Sequence, residues 1–374
     1  QLPPVVGSAE REIFETLYDS PYFFSAHALR DMPIEMVELT KVYRQKDQDF
    51  VDLLNRIRNN SVEAQDIDHL NTRLTDTAHT SQKSLTISLT ATNARADEIN
   101  EEKLLSLKGR TYHAAAEISG SFEKEYYPTA TDLRFKIGAQ IMMLNNDSKN
   151  RWVNGSIGLI DGVKTDEDGS EYLSIILDGD HEPVEVYPFM WEVFKVTVVD
   201  GHLVSEAAGT FTQYPFRLAW AVTIHKSQGK TFDHVVIDIG RGAFATGQMY
   251  VALSRCTSFE GIRLLTPIKP SFIRTDHRIY KFMTRFSYEQ SAIDMPTDDK
   301  VVFLKQAIKN KTKLSITYLK PNDTRSERVI VPLEVGMDEY KGKKYLGLRA
   351  FCTMRKEERM FRVDRIIEME KATG

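Results

Sequence analysis

The stretch Tyr214-Pro-Phe-Arg-Leu-Ala-Trp-Ala-Val-Thr-Ile-His-Lys-Ser-Gln-Gly229 sets an apolar run against a cluster of Thr223, His225, Lys226, Ser227 and Gln228. It ends at a glycine able to turn the chain sharply. Such a cluster of donors suits phosphate oxygens, and a buried, self-satisfied polar cap uses the same residue types, so residue types alone leave both open. On its C-terminal side the pattern gives a buried strand at Val235–Ile239, a helix around Gln248–Arg255 and a strand at Ile262–Leu265. On its N-terminal side, from Glu35 onward, short β-rich runs again alternate with helical ones. Met36–Leu39 reads as a strand, Phe50, Leu53, Leu54 and Ile57 mark one helix face, and Ser84–Leu89 reads as a second strand. This alternation is that of an α/β layer fold with a mostly parallel sheet. The turn Thr90-Ala-Thr-Asn93 then leads into a helix carrying Ala96, Ile99, Asn100 and Leu104. A strand entering a helix through small polar residues can offer N–H groups and hydroxyls to phosphate; an ordinary N-cap is the commoner use.

Two regions depart from this pattern. Between about Asp147 and Tyr214, Gly and Asp turns separate short runs at Ser156–Ile160, Tyr172–Leu177 and Val184–Tyr187. That spacing reads as a small antiparallel β unit inserted in the α/β domain, with Asn154-Gly155 as a hairpin turn. From Ser287 to Lys300 apolar periodicity is weak, which reads as a linker. A helix at Val301–Lys309 follows, then strands at Leu314–Leu319, Arg328–Val331, Tyr345–Arg349 and Phe361–Val363, a compact module of its own.

Charge is unevenly distributed. The 374 residues carry a net charge of -4, but Asp298–Gly374 holds 18 Lys/Arg against 12 Asp/Glu, leaving -10 for the remainder. A basic end fits a polyanion partner or simply a solvated surface. Cys256 and Cys352 lie far apart with no metal-ligand spacing, no apolar run approaches the roughly eighteen residues of a membrane span, and no signal pattern opens the chain. The expectation is a cytoplasmic protein, nuclear or mitochondrial if eukaryotic, acting away from membranes. The chain opens on Gln1-Leu-Pro-Pro-Val5 and an amphipathic stretch with Ile13, Phe14, Leu17 and Tyr18, then Phe23 and Phe24, which reads like the middle of a protein whose apolar surface a preceding half would cover.

A second segment, Gly247-Gln-Met-Tyr-Val-Ala-Leu-Ser-Arg255, places Gln248 and Arg255 seven apart, on one face of a helix. An Arg held there can offer its fork of donors to a transferring phosphoryl group, or pair with a carboxylate. The runs Ala219–Gly229 and Gln248–Arg255 resemble helicase motifs five and six of the Pif (petite integration frequency) and RecD-like families. Gln1–Val5 resembles the tail of motif three, and Val42-Tyr-Arg-Gln45 with Phe50 resembles motif four. The four stand in the family order from Gln1 to about Phe282.

That resemblance implies the C-terminal motor half of a superfamily-one, ATP-dependent helicase moving 5′ to 3′ on single-stranded DNA and unwinding duplexes and forks, working as a monomer. Its implied divisions are the tail of a first RecA-like domain (1–34), a second RecA-like domain (35–146 and 215–286), an inserted SH3-like barrel (147–214) opened by Trp152 and Asn154, and a linker (287–297). Gln1 would sense the γ-phosphate, with Arg44 and Arg255 contacting it from the second domain. Gln228, Gly229 and Gln248 would line the nucleotide edge, and Thr92, Asn93, Thr223, His225 and Lys226 the DNA backbone. ATP and Mg²⁺ belong to the complete enzyme. The GxxxxGK[ST] loop and acidic metal motif of that family are not in these 374 residues. Gly229-Lys-Thr231 imitates the loop's ending, but Ile224 stands where its first glycine is required. The chain alone is therefore expected to hold no cofactor and not to hydrolyse ATP.

Residues 298–374 resemble a WYL domain through Ile316–Leu319, Arg328–Pro332, Tyr345–Cys352 and Arg359–Ile366, with Thr317 in place of the Trp. The resemblance implies a small β-barrel binding nucleic acid or another anionic ligand. Arg349, Arg355, Arg359, Arg362 and Arg365 would contact phosphates, and Tyr318, Phe351 and Phe361 would stack on bases or fill the core. A non-catalytic module that binds single strands or senses a ligand is the alternative reading.

Overall fold

The computed structural model describes the chain apart from residues 1, 5, 7, 31, 33, 38–40, 76–84, 200–201, 241–244, 320–324, 341 and 373–374, with backbone alone at 8–11, 196–199, 202–204 and 325. Two compact units emerge, one from Gln1–Glu10 with Ile34–Thr275 and one from Arg11–Pro33 with Asp276–Gly374. Among the described residues no helix is long and apolar enough to cross a membrane.

The first unit centres on a four-stranded, wholly parallel sheet in the order Ala221–Thr223, Ile87–Thr90, Val235–Asp238, Ile262–Leu264. Every residue of the two inner strands is buried, as expected of parallel strands covered on both faces. The helix Gln48–Arg58 lays Phe50, Leu53, Leu54 and Ile57 into the core, and Asp47 caps its start by accepting from the Asp49 N–H at 3.0 Å. The helix Asn93–Ser106 is tied to the sheet through Asn100, whose amide donates to the Ala221 carbonyl at 2.8 Å and accepts from the Ala221 N–H at 2.9 Å. The expected strand at Met36–Leu39 does not form at Met36 and Val37, and its remaining positions lie outside the described residues.

Antiparallel pairing begins upstream of Asp147. Tyr112–Ala115 pairs with Asp132–Phe135, and Glu117–Gly120 with the long hairpin Phe189–Val199 and His202–Gln213. A five-stranded sheet runs Phe216–Leu218, Gln140–Met143, Ile157–Thr165, Glu171–Leu177, Val184–Val186. The β-region thus draws strands from both sides of the expected insertion, around its own core of Phe135, Ile141, Met143, Trp152, Ile175 and Phe216. The strand Phe216–Leu218 leads within two residues into Ala221–Thr223, so one short segment belongs to both sheets.

In the second unit the stretch expected as a linker, 287–297, is a correction. It is the last part of the helix His277–Asp294, a two-residue break and the start of the helix Thr297–Lys309. Its buried face is polar, which hides it from a search for apolar periodicity: Ser287 donates to the Met283 carbonyl at 2.7 Å and Ser291 to that of Ile367 at 2.7 Å. The buried Lys300 ammonium reaches Ser291 Oγ at 2.6 Å and the Ile366 carbonyl at 2.7 Å. The sheet is antiparallel, in the order Glu357–Arg362, Lys343–Cys352, Arg325–Tyr340, Leu314–Leu319, Ile366–Lys371. Its two outermost strands are joined by the single turn Val363–Arg365, which requires strong coiling of the sheet. Phe361 is core, edge-on to Tyr318 at 5.1 Å.

Candidate functional site

The Thr223–Gln228 segment follows the end of a parallel strand. Thr90 and Thr223 are register partners, and the Ile224 N–H donates to the Thr90 carbonyl at 2.9 Å. The turn Thr90–Asn93 and the turn after Thr223 therefore meet at the carboxyl edge of the sheet, where open α/β sheets bind ligands. Thr92 caps the helix Asn93–Ser106, accepting from the Arg95 N–H at 3.3 Å, and Asn93 is its exposed first residue. The turn after Thr223 is largely self-satisfied: buried Thr223 accepts from the Lys226 N–H at 3.3 Å, and buried Ser227 donates to the Ile224 carbonyl at 2.7 Å. His225 is half-buried, and Lys226, Gln228 and Gly229 are exposed. Gly229 takes φ +83°, the left-handed turn its residue type permits.

Because Ala221–Thr223 and Val235–Asp238 run parallel, residues 224–234 must return from the carboxyl edge to the amino edge of the sheet. Against that return stand Arg44 and Arg255, which donate to Thr231 and to the Lys230 carbonyl. The helix expected to carry Gln248 and Arg255 on one face is only Gln248–Leu253, so Arg255 sits in the turn beyond it, a correction to the expected geometry. Arg255 is buried; its Nε donates to the Val251 carbonyl at 3.0 Å, Nη1 to that of Lys230 at 3.2 Å and Nη2 to Ser254 Oγ at 2.9 Å. Arg44 donates from Nε to Thr231 Oγ1 at 2.8 Å and from Nη1 to the Ser254 carbonyl at 2.9 Å. Gln45 fixes the same turn by donating to the Ser254 and Cys256 carbonyls at 3.1 and 2.8 Å. Gln248 is wholly buried and accepts from the Ala245 N–H at 3.3 Å, away from any open face. Gln1 lies outside the described residues.

Neither Arg44 nor Arg255 has a carboxylate within ion-pair distance among the described residues. Burial, and then the Arg44 charge, push the Arg255 guanidinium down to about 10, and burial lowers Arg44 as well. Two guanidiniums sharing one turn, bonded among the described residues to hydroxyls and carbonyls, have an electrostatic need for an anion. That donor set fits the phosphates of a nucleotide.

Sequence reading missed Arg217 and Lys230. Arg217 donates to the Pro128 carbonyl at 2.9 Å, and Lys230 Nζ to Asn154 Oδ1 at 2.7 Å with its stem against Gly155. A basic residue in an otherwise apolar run was the only signal for Arg217. Trp152, whose indole donates to Asn145 Oδ1 at 3.0 Å, packs in the β-region core next to that turn.

In the second unit three of the five arginines expected to contact phosphate are engaged by neighbouring acids, whereas Arg365 keeps a buried Nη1 without a hydrogen-bond partner. Arg349 pairs with Glu334 at 2.8 Å, Arg359 with Glu357 at 3.2 Å and Arg362 with Asp364 at 2.6 Å, while Arg355 is exposed in the turn after Cys352. Thr317, standing in place of the Trp, donates to Glu368 at 3.0 Å.

Residues 301–371 match the WYL domain family. Human "ATP-dependent DNA helicase PIF1" is 32% identical over 309 residues, which is 80% of this chain and 44% of that protein. The crystal structure of Bacteroides sp Pif1 in complex with ADP-AlF4 superposes with a TM-score of 0.66 at 32% identity, covering 77% of this chain and 65% of that one. Bacteroides Pif1 bound to ssDNA gives 0.59 at 32% identity, covering 78% and 66%. The chain thus spans less than half the length of the human relative. With the motifs in order and the parallel sheet that carries them, the chain is homologous to the Pif1 DNA helicases over about four fifths of its length, and its residues 301–371 match the WYL domain family.

Proposed function

We propose that this chain is the C-terminal motor portion of an ATP-dependent DNA helicase that moves 5′ to 3′ along single-stranded DNA and opens duplexes and forks. The observation that carries the reading is the Arg44 and Arg255 pair, two cations gathered on one turn with no carboxylate within ion-pair distance among the described residues. In phosphoryl transfer the protein supplies positioned positive charge, and one arginine is worth roughly 10³–10⁵ in rate. Arg44 and Arg255 would hold the terminal phosphate of ATP, and a phosphate loop and Mg²⁺ site in another part of the full-length protein would complete the centre. Gln1 would face the same phosphate, and Gln228 and Gly229 would line the nucleotide edge. Buried Gln248 would hold the turn rather than touch nucleotide. Thr92, Asn93, Thr223, His225 and Lys226 share the carboxyl edge of the sheet and would follow the DNA backbone.

The β-region between Tyr112 and Phe216 would correspond to the SH3-like insertion, and the coiled C-terminal sheet to a small closed barrel. The barrel's arginines Arg349, Arg359 and Arg362 are each neutralised by an acid, which favours an accessory role over tight DNA binding. The protein would act as a monomer in the compartment that holds the DNA. In the full-length protein, Arg255→Ala should abolish single-strand-stimulated ATP turnover while retaining nucleotide binding; normal turnover in that variant would sink the assignment.

A further inference from the structure

We infer that Lys230 and Asn154 are positioning residues for ATP turnover, joining the β-region to Arg255 through one residue held at both ends. The inference rests on the reading of Arg255 as an arginine that holds the terminal phosphate of ATP. The Lys230 carbonyl accepts from Arg255 Nη1 at 3.2 Å, and the Lys230 ammonium donates to Asn154 Oδ1 at 2.7 Å. The next residue bonds the other arginine, since Thr231 Oγ1 accepts from Arg44 Nε at 2.8 Å. Residues 230 and 231, which in sequence imitate the end of a phosphate loop, thus each carry one arginine of the pair.

The Asn154 side of the link is firmly built. Asn154 and Gly155 stand in the turn between the strands Gln140–Met143 and Ile157–Thr165. The Gly155 N–H donates to the Met143 carbonyl at 2.9 Å, and the Asn154 N–H to Asn146 Oδ1 at 2.8 Å. Gly155 takes φ +102°, and a Cβ there would stand 2.9 Å from Lys230 Nζ and 3.0 Å from its Cγ and Cδ. The bare glycine is therefore the bed on which the lysine stem lies. Backbone bonds complete the path on the other side. The Ser227 N–H donates to the Thr223 carbonyl and the Lys230 N–H to the Ser227 carbonyl, both at 3.0 Å, so hydrogen bonds lead from the carboxyl edge of the sheet through Lys230 to Arg255. Contiguous contacts of this kind can carry coupling between distant sites. A small shift of the Asn154 turn would then displace Arg255, and a misplaced donor to the transferring phosphoryl group lowers kcat rather than nucleotide affinity.

The test is single-strand-stimulated ATP turnover of the full-length protein, with KM for ATP and affinity for fluorescein-labelled oligo-dT measured alongside. Asn154→Ala and Lys230→Met should each lower kcat about tenfold, as expected for one charge-assisted hydrogen bond, and leave KM and oligo-dT affinity within about twofold of wild type. The double variant should lose no more than either single one, because both remove the same link. Asn154→Asp, which keeps an acceptor for the ammonium, should restore most of the rate. If Lys230→Met fails to fold, Asn154→Ala, at an exposed position, carries the test with its Asp counterpart. Wild-type kcat in both single variants, or losses that multiply in the double variant, overturns the link and leaves the proposed function standing. A loss confined to oligo-dT affinity makes Lys230 a DNA contact and overturns the link equally. Wild-type protein without single-strand-stimulated turnover overturns the proposed function and this inference with it.

Discussion

Arg44 and Arg255 in the first unit meet surroundings opposite to those of Arg349, Arg359 and Arg362 in the second. Arg255 is only 7% exposed and its donors end on carbonyl and hydroxyl oxygens, with the Arg44 charge acting against its own. Arg349, Arg359 and Arg362 keep 50%, 44% and 46% of their side-chain surface in solvent, and each touches a carboxylate. A solvated, paired arginine contributes little either way. A buried guanidinium without a counter-charge works against folding, and the natural reason to keep one is a ligand that supplies the missing charge. Charge counts along the sequence point to the basic C-terminal end as the polyanion site. Local pairing directs attention instead to Arg44 and Arg255 in the more acidic first unit.

The sharpest way to break this comparison is to remove arginines from both sides. Arg44→Ala should lower ATP turnover of the full-length protein by at least about 10²-fold, whereas Arg349→Ala and Arg362→Ala should change single-strand affinity less than twofold, read by fluorescence anisotropy. A large loss from the paired arginines would erase the distinction.

Stability gives the next largest effect. The fall of Arg255 from 12.5 to about 10 means that its charged form is disfavoured by folding, by about 3 kcal/mol at most. The sign follows from the lowered value: below pH 10 the charged arginine opposes folding, and the penalty fades as pH rises from about 10 towards 12.5. Arg255→Met, similar in length and apolar, should therefore match or exceed the wild-type urea midpoint at pH 7 while losing turnover. A loss above about 2 kcal/mol would show that the hydrogen bonds to Val251, Lys230 and Ser254 outweigh the charge.

A smaller effect tests the opposite case, a compensated charge. Asp276 is held down to about 2, first by the Arg278 side chain, and also by the Arg278 N–H and the Tyr22 hydroxyl at 3.0 Å. Its folded value lies below the ordinary 3.8, so its contribution is present above about pH 4 and disappears as pH falls towards 2. Asp276→Asn should cost roughly 2 kcal/mol at pH 7, and the difference from wild type should vanish by about pH 2. A pH-independent difference would assign the effect to helix capping alone.

What could be read from the sequence follows the same physics. The strands Ile87–Thr90, Val235–Asp238 and Ile262–Leu264 stand where continuous apolar runs place them, within a residue or a few at each end. The helix Gln48–Arg58 buries the face that its period marks. The helix through Ser287–Asp294 escaped notice because its inward face is serine bonded to backbone, and Lys300 is buried on carbonyl and hydroxyl oxygens where a charged residue reads as surface. Arg44 and Arg255 stood out only through their motifs. That they share Ser254, one through its carbonyl and one through its hydroxyl, is a long-range fact no local pattern carries. Arg217 and Lys230 sit inside or beside a recognised motif, yet what distinguishes them, an orphaned Nε and an asparagine-aimed ammonium, exists only once the β-region folds against the sheet.

The central claim, that the uncompensated pair Arg44 and Arg255 awaits a phosphate, is tested most directly by single-strand-stimulated ATPase activity of the full-length protein carrying Arg255→Ala, with nucleotide affinity measured in parallel. Turnover reduced by about 10³-fold or more with affinity for nucleotide kept within a few fold is the predicted result. Turnover at the wild-type rate would contradict it and return Arg255 to a structural role in the turn after Leu253.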